Sequence, residues 1–170
     1  IAERIILSFP ELKPTIIRPA TVCGLSPRMR LDTVVNMLTM QALKNKKITV
    51  LGGSQFRPNV HIDDLIDSYI FFINNPSILG IYNVGNDTRT VLEIANAIKE
   101  KIDCSIEIKP SNDPRSYRLS SQKIINKGFN FKKNIENAIE EIVESYSKNN
   151  LDDEDKWYNI RWMKTNVLNH

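Results

Sequence analysis

Apolar residues recur at helical spacing in five stretches of the chain. Ala2, Ile5, Ile6 and Phe9 share one face of an opening helix, which ends at Phe9-Pro10 because proline disfavours helix in the residue before it. Leu31, Val34, Val35, Leu38 and Ala42 mark a second helix over 31–43. Leu65, Ile66, Tyr69, Ile70 and Ile73 mark a third, opening at Asp63-Asp64, where Asp63 can cap by accepting from a free N–H of the first turn. Val91, Ile94, Ala95, Ile98 and Ile102 mark a fourth; Thr90 with Glu93 three residues on is the signature of a capping box. Ile135, Ala138, Ile139, Ile142, Val143 and Tyr146 mark a fifth, capped by Asn134. A short helix is expected over Ser121 to Lys127, stopped by Gly128.

Between these lie short runs that read as strands: the β-branched Thr15-Ile16-Ile17, expected to be buried, then Ile48 to Leu51, Ile81 to Val84, and Ser105 to Ile108 with Ile106 and Ile108 inward. Strands alternating with helices predict an α/β fold with some parallel sheet. Two connections stand out. In Arg18-Pro19-Ala20-Thr21-Val22-Cys23-Gly24 the proline and glycine predict irregular backbone just past a strand, where open α/β sheets bind ligands. In Gly52-Gly53-Ser54-Gln55-Phe56-Arg57 the glycines break a strand, and Arg57 is expected on an irregular segment ahead of a firmly anchored helix, a usual place for a ligand-binding side chain.

Composition narrows the classes. The chain has 170 residues, 41% hydrophobic and 25% charged, which is enough for a core and unlike a disordered segment. A net charge of +3, spread along the chain, gives no argument for nucleic acid. No apolar run is long enough to span a membrane, and none has the pattern of a signal peptide. Cys23 and Cys104 form no C-x-x-C, so no metal is expected of them, and they fit a reducing compartment. Cys23 reads as a small buried filler. His61 with Asp63 and Asp64 reads as a strand-end histidine beside a helix cap rather than a metal cluster. The acidic run Asp152 to Asp155, followed by Trp157, Tyr158, Ile160, Trp162 and Met163, reads as a tail that docks on the body or as an association surface. The opening IAERIILSFP has no Met and no capping residue, and reads as a start inside a helix, hence as a fragment.

The order of RPATVCG, an arginine-bearing turn and helix, ITVLGGSQFRPNVHIDDLIDSY, and IYNVGN with a capped helix resembles the C-terminal half of extended short-chain dehydrogenases/reductases. More narrowly, it resembles the NAD-dependent nucleotide-sugar epimerase/dehydratase family, over residues 2–146. The resemblance implies the C-terminal part of a doubly wound Rossmann-type sheet plus a smaller α/β substrate-binding lobe. Residues 1–24 and 60–86 would be remnants of the dinucleotide-binding domain, 25–59 and 87–150 the substrate lobe, and 151–170 a C-terminal tail.

The resemblance also implies chemistry: hydride transfer from a sugar carbon to NAD, a 4-keto intermediate, and a Tyr-x-x-x-Lys pair as proton-handling machinery. The six glycines and five tyrosines of this chain make neither a glycine-rich phosphate loop nor that pair, so no catalytic residue is expected here. Glu3 matches a glutamate that follows the lysine in relatives, which places the pair just ahead of Ile1. By resemblance, Pro19 and Val22 lie against the nicotinamide. Thr21 stands where relatives often have an asparagine holding substrate phosphate. Arg57 grips the diphosphate, and either Arg115 or Arg118 adds a second guanidinium. Arg28 and Arg30 flank the substrate loop.

The intact protein is thus expected to bind NAD (or NADP) and a nucleoside-diphosphate sugar, completed by an N-terminal Rossmann half. It is expected to be cytoplasmic and homodimeric, with no nucleic acid, membrane or metal involved. The chain alone is expected to catalyse neither oxidation nor reduction. Two rival readings stay open: a non-catalytic dinucleotide- or RNA-binding module on the same fold, and an NADP-dependent sugar-nucleotide reductase.

Overall fold

Burial sorts the predicted faces into those that find a partner and those that do not. The computed structural model describes residues 1–167. In chain order the elements are α1 (Ala2–Leu7), a 3-10 turn (Pro10–Leu12), β1 (Thr15–Pro19), β2 (Thr21–Cys23), α2 (Val34–Asn45), β3 (Lys47–Leu51), β4 (Phe56–His61) and α3 (Ile62–Asn74). Then follow β5 (Gly80–Val84), β6 (Asp87–Thr90), α4 (Val91–Lys101), β7 (Ser105–Lys109), α5 (Gln122–Ile125), α6 (Ile135–Ser147), a 3-10 turn (Asp155–Trp157) and α7 (Asn159–Asn166). The last three positions of the expected 151–170 tail lie outside the described residues.

The alternation of helix and strand builds an α/β fold with parallel pairing. β1 runs parallel to β5 from Thr15↔Gly80 to Pro19↔Val84, and β3 runs parallel to β7 from Lys47↔Ser105 to Leu51↔Lys109. β4 lies between β2, parallel from Thr21↔Asn59 to Cys23↔His61, and β6, antiparallel from Phe56↔Thr90 to Asn59↔Asp87. Pro58 sits beyond the end of β2, where β4 has a neighbour on one side only and a missing N–H is tolerated.

The Arg18–Gly24 segment is therefore not irregular, as its proline and glycine suggest. It is two strands separated by Ala20, whose N–H donates to the Val84 carbonyl at 2.8 Å. The chain passes so close there that a Cβ on Gly85 would lie 2.6 Å from the Ala20 Cβ, so only glycine fits. Arg57 likewise stands on a strand, β4, and not on a loop.

α4 and α6 bury the faces their periodicity marks. Val91, Ile94, Ala95 and Ile98 of α4 and Ile135, Ala138 and Ile139 of α6 join Val35, Leu38, Ile48 and Val50 in one core cluster. Both helices have capping boxes, Thr90 with Glu93 and Asn134 with Asn137. α2 begins at Val34, later than the Leu31 start expected, although Leu31 is fully buried. In β7 Ile106 packs on the core, but Ile108, although paired with Val50 of β3, is exposed.

α3 departs most from expectation. Its N-cap is His61, whose Nδ1 accepts from the Asp63 N–H at 3.2 Å; Asp63 does not cap. The face that packs inward carries Asp64, Leu65, Ser68 and Phe72, while Ile66, Tyr69, Ile70 and Ile73 point outward. β1 is only half-buried, and the Ile5, Ile6 and Phe9 face of α1 is also exposed.

These burials set a contrast in stability. Ile139→Ala, at a fully buried site, should lower the unfolding free energy by about 2–5 kcal/mol. Ile73→Ala, at a side chain 74% exposed, should change it by less than about 0.5 kcal/mol. Equal losses in urea denaturation would show that the outward face of α3 is covered within the chain.

Candidate functional site

A cleft of about 960 Å³ opens at the junction of β1 and β2, with the loop 25–33, the Gly52-Gly53 turn, the start of β4 and the loop 111–118 around it. The local sequence explains each wall. Gly52 and Gly53 adopt φ of +78° and +110°, and the Gln55 side chain locks the turn, accepting from the Gly53 N–H at 2.6 Å and donating to the Leu51 carbonyl at 2.6 Å. Gly24 adopts φ +102°, and its N–H donates to Asn36 Oδ1 at 3.1 Å, which ties the end of β2 to α2. A Cβ on Gly24 would come within 2.8 Å of His61 Nε2, so the glycine is needed for space as well as conformation.

The structure brings Pro19, Thr21, Val22, Arg57 and Arg115 onto this one cleft. Arg118 does not line it: its guanidinium stacks on the Phe56 ring at 3.9 Å. Arg28 and Arg30, the weaker candidates, do line it. The lining residues described thus carry four arginines against one aspartate, Asp32, which suits a ligand with more than one negative charge.

The arginine fork is already engaged. Arg57, with a side chain 14% exposed, donates from Nη1 to the Phe56 carbonyl at 3.1 Å and to the Arg115 carbonyl, and from Nη2 to Asp113 Oδ2 at 3.0 Å. Arg115 donates to the same carboxylate from Nε and Nη2, both at 2.8 Å, and from its backbone N–H at 3.0 Å. Asp113 is therefore the counter-ion of both candidate phosphate ligands. The Arg115 hydrogen bonds, side chain before backbone, and the charges of Arg115 and Arg57 hold its carboxyl well below the usual carboxylate range.

Asp113 went unnoticed in the sequence, where only the arginines of DPRSYR drew attention. The Asp-x-Arg spacing that lets an aspartate accept from the backbone two residues on was the available signal. Arg57 and Arg89 face each other across β4 and β6, a pairing of like charges that is unfavourable alone. Arg89 has its own carboxylates, Asp87 and Glu136, which hold it apart from the cleft.

Beside the cleft, His61 Nδ1 accepts from Asp63, so its proton sits on Nε2, which donates to Glu141 at 3.0 Å. His61, Asp63 and Glu141 have the proximity of metal ligands, but Lys133 Nζ bridges Asp63 and Glu141 at 2.6 Å each and supplies the positive charge there. Cys23 is buried, donates to the Val60 carbonyl, and has its thiol pushed up to about 12 by burial, which leaves it unreactive.

The family model described as NAD dependent epimerase/dehydratase family matches residues 1–85, half of the chain. The chain belongs to the NAD-dependent epimerase/dehydratase family. A UDP-glucuronic acid decarboxylase of Arabidopsis thaliana is 32% identical over 132 residues, covering 72% of this chain and 38% of the relative. Two solved structures superpose with a TM-score of 0.72. One is a UDP-glucuronic acid 4-epimerase from Bacillus cereus in complex with UDP-glucuronic acid and NAD, 21% identical over 86% of this chain and 50% of that one. The other is RMD from Pseudomonas aeruginosa complexed with NADPH, 14% identical over 87% of this chain and 54% of that one. The chain therefore spans roughly two-fifths to a half of the length of these epimerase/dehydratase relatives, and the structures support a Rossmann-type α/β fold.

The clamp makes a pH prediction. A folded-state value below the unfolded one of about 3.9 means that the Asp113 contribution is present above that pH and is lost as pH falls through the lowered value. The carboxyl ¹³C resonance of Asp113 should therefore stay flat from about pH 7 down to 4. An ordinary midpoint near 4 would mean that Arg57 and Arg115 are not held on it.

Proposed function

We propose that this chain is the C-terminal, substrate-binding portion of an NAD-dependent nucleotide-sugar epimerase or dehydratase, and that the cleft takes a nucleoside-diphosphate sugar. The carrying observation is the convergence of Arg57 and Arg115 with Pro19, Thr21 and Val22 on one cleft. A guanidinium offers a planar fork of donors matched to phosphate oxygens, and two of them around one carboxylate form a site that a diphosphate can take over. Asp113 then yields its place on the two arginines when ligand enters. Thr21 has a hydroxyl to add to the phosphate contacts.

NAD supplies the hydride acceptor when bound. The chain has no G-x-x-G-x-x-G run, so its residues fit only the nicotinamide end, through Pro19 and Val22 at the break between β1 and β2. The cofactor's phosphates, and the tyrosine and lysine of the proton relay, fall to the Rossmann half. What supports such a half is the outward apolar face of α3 together with the two-stranded β1–β5 sheet. A sheet of two strands is at best marginal alone. In this reading residues 1–24 and 60–86 belong to that half, and 25–59 with 87–150 form the lobe that holds the sugar nucleotide. No described helix is long and apolar enough to cross a membrane. On the family resemblance alone, we read the assembled enzyme as a cytoplasmic homodimer.

Titration of the chain with UDP-glucose by calorimetry tests the substrate class. Arg57→Ala should weaken binding by about tenfold to a hundredfold, the effect of one or two hydrogen bonds to a charged group. Undiminished affinity in that variant would remove the diphosphate from the cleft.

A further inference from the structure

The C-terminal tail backs one wall of the cleft. The loop 25–33 forms one wall, with Ser26, Arg28, Arg30, Asp32 and Thr33 lining it, and it contains no helix or strand. Its opposite side is buried: Met29 and Leu31 pack with Met40 and Ile142 and with Leu151, Trp157 and Tyr158 of the tail. Two backbone contacts join tail to loop. The Leu31 N–H donates to the Trp157 carbonyl at 2.9 Å, and the Asn159 N–H donates to Asp32 Oδ2 at 3.2 Å. Asp32 in turn accepts from Arg30 Nε at 3.0 Å and Nη2 at 3.2 Å. Asn159 Oδ1 lies 3.5 Å from Arg28 Nη1.

The tail is itself tied down through the acidic run. Asp152 accepts from Trp157 Nε1 at 2.6 Å, and Asp153 accepts from the Tyr158 hydroxyl at 2.5 Å and pairs with Lys44 on α2. The aspartates are thus committed to holding aromatic residues in place. A linked chain of contacts runs from α2, through Asp153, Tyr158 and Asn159, to Asp32 and so to a guanidinium in the cleft.

We propose that segment 151–159 is a brace for the substrate loop, with Asn159 a positioning residue that acts through Asp32 to set Arg30, and through its side chain to set Arg28, against the anionic part of the ligand. This rests on the reading of the cleft as a nucleotide-sugar site. An arginine on an unstructured loop carries a large entropy cost on immobilisation, and a brace removes part of that cost before ligand arrives.

Two substitutions compared with each other isolate the link, because both lose the Asn159 Oδ1 contact with Arg28 and only one loses the N–H. Asn159 is the first residue of α7, and Tyr158 before it has φ −112° and ψ 107°, which proline accepts in its predecessor. Asn159→Pro therefore keeps α7, since proline is favoured at that position, and deletes the N–H that reaches Asp32. Asn159→Ala keeps the N–H and deletes only the Arg28 contact.

In the full 170-residue chain, the Arg30 Nε–H should exchange about tenfold faster in Asn159→Pro than in the wild type, and at the wild-type rate in Asn159→Ala, with thermal midpoints unchanged in both. UDP-glucose binding should weaken about tenfold in Asn159→Pro relative to Asn159→Ala, and adding Arg30→Ala to Asn159→Pro should cost nothing more, because the two act in one linkage. Unchanged Arg30 exchange in Asn159→Pro overturns the brace whatever binds in the cleft. Altered exchange with unaltered binding, or losses that simply add, overturns the positioning role. If Arg57→Ala still weakens binding in those cases, the nucleotide-sugar reading stands without the brace. A wild-type chain that ignores UDP-glucose defeats that reading and the proposal with it.

Discussion

The position of β4 between β2 and β6 governs the site. Its register against β2 sets Asn59 beside Thr21, so Arg57 projects two residues beyond the start of β2 and reaches the cleft. The same strand ends at His61, whose ring caps α3 and hydrogen-bonds Glu141 on α6. One six-residue strand thus ties the break between β1 and β2 to the arginine, to the helix that follows it, and to α6. A slip of one residue would turn every side chain of β4 to the other face, so the register is strongly specified. Gly24 and Gly85 are the two places where this arrangement tolerates no Cβ.

The cleft has a balance of charge that suits exchange of one anion for another. Arg57 is nearly buried, and an unpaired guanidinium there would be costly. Asp113 meets that cost, and its loop has no regular structure to resist movement. Arg115 is mostly exposed and follows Asp113 through local hydrogen bonds. A ligand that brings two linked phosphates offers both arginines more acceptors than one carboxylate does.

Much of the fold was legible in the sequence, for reasons that also explain what was not. α4 and α6 announced themselves because their caps are local and their apolar faces find cover inside the chain. α3 has an equally clear apolar stripe, but periodicity reports which face is built to be covered and says nothing of whether the cover belongs to the same chain. Ile66, Tyr69, Ile70 and Ile73 are therefore outward. The cap at His61 was missed because its acceptor is a ring nitrogen and capping rules favour short oxygen-bearing side chains. β2 is three residues long, too short to show a period, and exists because β4, far along the chain, pairs with it. Arg57 was legible as a candidate for ligand contact, and it lines the cleft. Its partner Asp113 was not, because a contact across 56 positions leaves no mark in local pattern.

The claim beneath all of this is that Arg57 exchanges the Asp113 carboxylate for a diphosphate. A crystal structure of the chain soaked with UDP-glucose examines it most directly. The account predicts the Arg57 guanidinium within about 3 Å of a diphosphate oxygen, with Asp113 turned out of contact. Diphosphate bound elsewhere, with Arg57 still resting on Asp113, would contradict it.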